Sequence, residues 1–211
     1  MSERSYRHPD AIILVFARAP VVGQVKTRLA RRIGPAAATR WHRQMTLKTL
    51  TTLHAARLAP VWLVGVPDIR HPFFFSCRRR FSLRLRRQSR GDLGRRMNHA
   101  LCQALRVANR AVLIGTDCPA LGYADLDAAL QHLARGAEIV LGPSTDGGYV
   151  LVGANRPAPG LFHGIDWGTE RVMAQTYRRL STLNRSWRCL PPKPDVDHYA
   201  DLQTARRAGW L

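Results

Sequence analysis

At 211 residues, 45% hydrophobic and 22% charged, the chain has the make-up of one globular domain with a substantial core, and not that of a low-complexity or disordered polymer. Its net charge of +19 favours anionic partners, although the arginines that carry most of it are spread over the whole chain and read mainly as surface decoration. The four cysteines form no C-x-x-C pair and no zinc-type spacing, the N-terminus MSERSYRHPD has no signal-peptide core, and the apolar run Ala11–Ala17 is too short to cross a bilayer. These features predict a cytoplasmic protein with reduced cysteines, no membrane span and a single domain over 1–211, of which 1–10 form a flexible N-terminus.

Strand-like and helix-like segments alternate along the chain. Ala11–Ala17 reads as a buried strand, Val25–Arg32 as a short helix ending near Gly34, and Pro35 to about Leu58 as a long helix with Trp41, Met45, Leu50 and Leu53 on its apolar face. Val61–Val66 is a second buried strand, and Phe81–Arg86 alternates as a strand with one solvated face. Helix over Asp92–Val107, strand over Ala111–Gly115, helix over Ala124–Ala134 and strands over Ala137–Leu141 and Tyr149–Gly153 follow. The chain closes with a helix over Thr169–Leu183, a strand over Trp187–Leu190 and a helix over Tyr199–Ala208. This order predicts an α/β fold: a mostly parallel sheet with helices on both faces. Ligands then bind beyond the carboxyl ends of the strands, where the loops after Ala17, Arg86, Gly115 and Leu141 share one rim.

Those loops hold the chemistry. Arg18–Gly23 followed by Lys26, Thr27 and Arg28 is a strand, a small-residue loop and then cations at a helix start. It is not a Walker A loop, because Gly23 is followed by Gln24 and Val25. Cations there oppose the helix dipole unless an anion lies between them, which points to phosphate. Asp117, at the end of a buried strand in Gly115-Thr116-Asp117-Cys118-Pro119, can hold a hard divalent cation or cap a turn. Asp146-Gly147-Gly148 reads as a hairpin turn on which a binding role can sit. Asp195 and Asp197, two residues apart on an extended segment, face one side; Asp197 or His198 can equally cap the last helix. Gln88 and Gly91-Asp92 lie in a cluster rich in arginine (Cys77–Arg96), either a solvated face or a patch for an anionic substrate.

Together, FARAP-x-x-G-x-x-KTRL, GDLG-x-RM, GTDCPAL, GP-x-x-DGGY, W-x-TERV-x-AQT and D-x-D-x-x-x-DL resemble, in this order, a family of nucleotide-diphospho-sugar transferases of glycosyltransferase-A type, some associated with radical-SAM and selenium-domain proteins. The chain is also similar to 2-phospho-lactate and molybdenum-cofactor guanylyltransferases. The resemblance covers about 11–203 and implies a GT-A fold, a Rossmann-like αβα sandwich with a mixed, mostly parallel sheet. It places Ala17, Arg18, Ala19, Gly23, Lys26 and Arg28 at the nucleotide phosphates, Gly91 and Asp92 near the base or ribose, where the loop backbone with Gln88 can also be read as a recognition element, and a Mg²⁺ (or Mn²⁺) on Asp117 and Asp197. Gln24 departs from the lysine common in the family, which removes one phosphate cation.

The implied activity is metal-dependent transfer from a nucleotide or nucleotide-sugar donor to a small-molecule acceptor, anionic acceptors included. Glycosyl transfer is the first expectation, with Lys26 and Arg28 sharing phosphate charge and Asp146 or Glu170 as the base that takes the acceptor's proton. Nucleotidyl transfer with release of pyrophosphate is the alternative and needs no base. A non-catalytic nucleic-acid binder ranks third, because the chain lacks the aromatic-plus-basic strand motifs of RNA modules.

Overall fold

The computed structural model describes residues 6–211. Seven strands form one sheet in the order β3-β2-β1-β4-β6-β5-β7. These are β1 (Ala11–Arg18), β2 (Val61–Val66), β3 (Arg84–Arg87), β4 (Arg110–Ile114), β5 (Ile139–Pro143), β6 (Tyr149–Ala154) and β7 (Trp187–Cys189). All neighbours run parallel except β6, which is antiparallel to both β4 and β5. The helices are α1 (Thr27–Ile33), α2 (Pro35–Ala56), α3 (Pro72–Phe81), α4 (Leu93–Leu105), α5 (Tyr123–Ala134), α6 (Val172–Thr182) and α7 (Tyr199–Arg207).

The near-continuous apolar strands are what a sheet buried on both faces requires. Successive residues of β1 serve opposite faces. Ile13 and Val15 pack with Leu50 and Leu53 of α2, Phe73, Phe74 and Cys77 of α3, and Leu126 and Leu130 of α5. Ile12 and Leu14 pack with Met97, Leu101 and Ala104 of α4 and Met173 and Leu180 of α6. A third cluster joins Leu29 of α1, Ala38 and Met45 of α2, and Leu202 and Ala205 of α7, with Val196 just ahead of α7. That last cluster carries the C-terminal segment back to the first loop of the chain.

Helix α3 lies where the sequence pattern suggested none, and it displaces the expected start of β3 from Phe81 to Arg84. The reason is visible in its packing: Phe73, Phe74, Cys77 and Phe81 are buried at helical spacing, and Pro72 opens the helix behind His71, whose ring accepts a hydrogen bond from Phe73 N. At the chain start, the segment expected to be flexible lies outside the described residues over 1–5. Arg7 N and His8 N donate to Arg57 O and Leu58 O, and His8 Nε2 lies 2.7 Å from Asp127 Oδ1. The four cysteines are free; Cys77 and Cys118 are buried, while Cys189 is exposed beside Tyr177. Among the described residues no helix is long and apolar enough to cross a membrane.

Helix α4 meets the loop before α6 closely. A Cβ on Gly94 would lie 2.8 Å from Trp167 Cζ2 and 2.9 Å from both Phe162 Cβ and Phe162 O. Replacing glycine by alanine inside an exposed helix ordinarily stabilises by about 1 kcal/mol. Here the sign reverses: Gly94→Ala should destabilise by roughly 1–3 kcal/mol through overpacking. A thermal melt should therefore show the midpoint lowered by several degrees (about 2–4 °C per kcal/mol at this chain length).

Candidate functional site

A cleft of about 570 Å³ opens at the carboxyl ends of the parallel strands. Arg18 after β1, Val66 after β2, Gln88 after β3, Gly115–Cys118 after β4 and Ser144 and Asp146 after β5 all line it, as the expected rim requires. Lys26 lines it too. Its backbone is left-handed (φ 49°, ψ 46°) at the start of α1, a conformation that costs a β-carbon residue about 1–2 kcal/mol. The strain turns its side chain inward: Nζ lies 2.9 Å from Asp117 Oδ1 and 3.0 Å from Asp197 Oδ1, and donates to Val196 O. Arg28 Nη1 reaches Asp197 Oδ2 at 3.2 Å from outside. Burial pulls the Lys26 pKa down, but the two carboxylates outweigh it and hold the ammonium above its ordinary range.

The C-terminal segment is laid into the cleft by backbone bonds. Lys193 N donates to Pro143 O, Thr145 N to Lys193 O, and Val196 N to Asp117 O at 2.8 Å. Asp201 accepts from Asp197 N and His198 N and so caps α7, which frees the Asp197 side chain for the cleft. Asp195 and Asp197 do not share one target. Asp195 Oδ1 and Asp146 Oδ1 both face Ser144 Oγ, at 3.4 and 2.6 Å. Burial and the neighbouring Asp146 and Asp197 push the Asp195 carboxyl up to about 6.

The sequence-based candidates divide cleanly. Ala17, Arg18, Lys26, Arg28, Gln88, Asp117, Asp146 and Asp197 line the cleft. Ala19 is buried in the core, Gly23 and Gly91 are exposed loop residues at positive φ, and Asp92 accepts from Arg95 N as the cap of α4; none of these four lines the cleft. Glu170 does not line it either, because its backbone is the surface on which the hairpin rests: a Cβ on Gly147 (φ 89°) would lie 2.3 Å from Glu170 O. Of the arginine cluster over Cys77–Arg96 only Arg96 enters the cleft.

Sequence reasoning missed His42 and Arg96. His42, buried in α2, donates from Nε2 to Arg18 O at 2.9 Å and fixes the end of β1; burial lowers its pKa, so it serves as a neutral ring. Arg96 donates from Nη1 to Gln88 Oε1 and from Nε to Asp92 O. The missed signal is positional: each sits on the inner face of a helix that starts at the rim.

The donor set fits a hard divalent cation. It is oxygen only, it holds surplus negative charge at Asp146 and Asp195, and the buried Asp117 Oδ1 accepts no directed hydrogen bond, its contact with Lys26 being ionic. Among the described residues no three His, Cys, Asp or Glu side chains already converge on one point. Two carboxylates with phosphate oxygens and water completing the shell is the pattern magnesium prefers.

This layered sheet with a cleft lined by acidic and basic groups at its rim is the Rossmann-like fold of the nucleotide-diphospho-sugar transferases, as comparison with solved structures shows. The chain belongs to the family described as "Uncharacterized protein conserved in bacteria" (DUF2064), whose model matches residues 49–169. A protein from Desulfovibrio desulfuricans G20, provisionally described as a nucleotide-diphospho-sugar transferase, is 31% identical with a TM-score of 0.88, over 95% of this chain and 88% of that one. CMP:2-keto-3-deoxy-manno-octonic acid synthetase in complex with CTP shares the fold at 13% identity and a TM-score of 0.60, over 95% of this chain and 98% of that one. A manganese complex of a Mycobacterium tuberculosis H37Rv protein does so at 17% identity and a TM-score of 0.54, over 93% and 97%. No curated protein matches the sequence.

Asp195 offers a test of the surplus charge. A carboxyl whose folded pKa is raised binds its proton more tightly when folded, so stability falls as pH rises from about 4 through 6. In metal-free buffer at pH 8, Asp195→Asn should stabilise by roughly 1 kcal/mol once solvent screening of this half-exposed group is allowed for. The gain should vanish below about pH 4, where both states are protonated. Melting curves at the two pH values read it directly.

Proposed function

We propose that this protein is a metal-dependent nucleotidyltransferase: an acceptor oxygen attacks the α-phosphorus of a nucleoside triphosphate, the bond from that phosphorus to the bridging oxygen breaks, and pyrophosphate leaves with the electron pair. The observation that carries this reading is the convergence of Lys26, Arg28, Asp117 and Asp197 at the rim between β1 and β4. Two cations at one helix start beside two carboxylates suit a triphosphate, whose departing pyrophosphate concentrates charge, better than a diphosphate sugar with fewer phosphate oxygens to share among them.

Asp117 and Asp197 would hold a Mg²⁺ or Mn²⁺, which when bound supplies Lewis-acid neutralisation of phosphate oxygens. The chain's own residues do the rest. Lys26 and Arg28 exchange part of their carboxylate contacts for phosphate oxygens and stabilise the charge that builds on the leaving group. His42 keeps the Arg18 carbonyl, and hence the loop that follows it, in one position. The arrangement of Trp167 against Gly94 and of Gly147 against Glu170 keeps the walls at fixed separation. The fold relationship to a CTP-binding synthetase and to a manganese-bound protein agrees with this reading.

Sugar transfer is the second reading, and one observation favours it: Asp146 lines the cleft and accepts from the Ser144 hydroxyl, where a carboxylate could take the acceptor's proton. The two readings separate by product. With Mg²⁺ and a panel of nucleoside triphosphates, nucleotide sugars and acceptors, pyrophosphate release is expected; nucleoside diphosphate release from a nucleotide sugar would overturn nucleotidyl transfer in favour of the second reading. In binding assays, Lys26→Ala should weaken triphosphate affinity by roughly 10–100-fold, the loss expected for a charge-assisted contact. Asp117→Asn should remove the dependence of that affinity on Mg²⁺, and an unchanged metal titration would reject the assignment.

A further inference from the structure

The wall of the cleft formed with α4 is built differently from the phosphate end. Phe16, Val66, Leu93 and Met97 line it with apolar surface, and Gln88 and Arg96 are the polar groups set among them. Gln88 follows β3, which lies two strand spacings, roughly 10 Å, from β1, the strand whose loop carries Lys26.

Gln88 is among the residues that a sequence reading sets near the base or ribose, but each end of its amide already holds a hydrogen bond. Nε2 donates to Val64 O at 3.0 Å, and Oε1 accepts from Arg96 Nη1 at 3.1 Å. The residue is also buried, so little of its amide edge is offered to a ligand. Its effect is to hold Arg96. Asp92 O fixes the same guanidinium at Nε, which leaves Nη2 unpartnered among the described residues on a side chain that faces the cleft. Arg18, whose charge also acts on Arg96, makes no ion pair among the described residues and adds a second cation. A guanidinium has donors only, so any N–H group presented to it meets repulsion, and the positive charge of Arg18 sharpens this.

We infer that Arg96, held flat by Gln88 and the Asp92 carbonyl, is the base-reading residue of this cleft and selects a nucleotide whose base carries two adjacent hydrogen-bond acceptors, guanine or cytosine, against adenine and uracil. The inference rests on the proposed use of a nucleotide donor. Guanine offers O6 beside N7, the pair that arginine grips in nucleic-acid recognition, and cytosine offers O2 beside N3. Adenine sets an amino group beside each acceptor on its exposed edges, and uracil separates its two carbonyls by an N–H. The apolar lining fits the flat faces of a ring while the guanidinium lies at its edge. A phosphate or carboxylate would also satisfy Arg96, but it would gain nothing from the four apolar side chains around it.

Titration calorimetry of the full chain with GTP, CTP, ATP and UTP in Mg²⁺ tests this. Either GTP or CTP should bind about 10–100-fold more tightly than ATP and UTP. If GTP is the tight ligand, inosine triphosphate, which keeps O6 and N7, should match it and the 7-deaza analogue should not; if CTP is, neither analogue should bind tightly. In Arg96→Ala the preferred nucleotide should fall to the level of ATP while ATP itself is unchanged, which also shows that the variant is folded. Arg96→Lys, with one donor head in place of a fork, should recover only part of the preference. Tightest binding of ATP or UTP, or an equal loss for all four nucleotides in Arg96→Ala, would overturn the inference and leave the nucleotide-donor reading standing. Failure of every nucleotide to bind would overturn both.

Discussion

A single ammonium group organises this site. Lys26 Nζ is buried between Asp117, Asp197 and the Val196 carbonyl, groups some 90 to 170 positions further along the chain. A buried charge is tolerable only when paired, since its desolvation costs several kcal/mol. The fold meets that condition by three separate means. A left-handed turn at Lys26 aims the side chain inward, the backbone bond from Val196 N to Asp117 O brings two of the partners together, and α7 docks on α1 and α2 to keep the C-terminal segment in place. Removing any one of these leaves a charge in the cleft without its counter-ion.

The charges of the same cleft are not evenly paired, and negative charge accumulates at Asp146 and Asp195. Asp197 is satisfied, because Lys26 and Arg28 outweigh its burial and hold its carboxyl below the ordinary range. Asp195 is not: it faces Asp146 across one serine hydroxyl, and its pKa is driven up to about 6. A site that is balanced at one end and overcharged a few ångströms away stores unfavourable free energy in the free protein. Binding a cation together with a polyphosphate releases it, which is how a stability cost becomes binding selectivity.

The layout was legible where hydrophobic period and punctuation agree. The buried strands and the long helices follow from apolar runs and spacings of four, and the Asp-Gly turn between β5 and β6 already implies the antiparallel pair that interrupts the parallel sheet. α3 was not legible, because Arg78–Arg80 interrupts its apolar face and the alternation from Phe81 onward imitates a strand. The site divides in the same way. Lys26, Asp117 and Asp197 stand out as charged residues beside strand ends. Arg96 is one arginine in a run of many, and only burial and the Gln88 contact distinguish it. Asp195 and Asp197 were expected to face one target because alternate residues of a strand share a face; the segment is not a strand, and backbone bonds to Pro143, Thr145 and Asp117 turn the two side chains to different partners.

The two walls of the cleft are joined by contacts too close for any side chain larger than hydrogen. Gly94 brings the start of α4, and with it Arg96, against Trp167 and Phe162; Gly147 brings the hairpin carrying Asp146 against Glu170, on the same stretch as Trp167. The base-side wall and the carboxylate wall are thus both registered on the segment between 162 and 170. Trp167 lines the cleft while touching Gly94, so it is at once part of the ligand surface and the spacer that sets its width. Packed interiors do not deform continuously. A shift at either wall is therefore passed to the other, and the separation of the guanidinium from the carboxylates is fixed by packing before any ligand arrives.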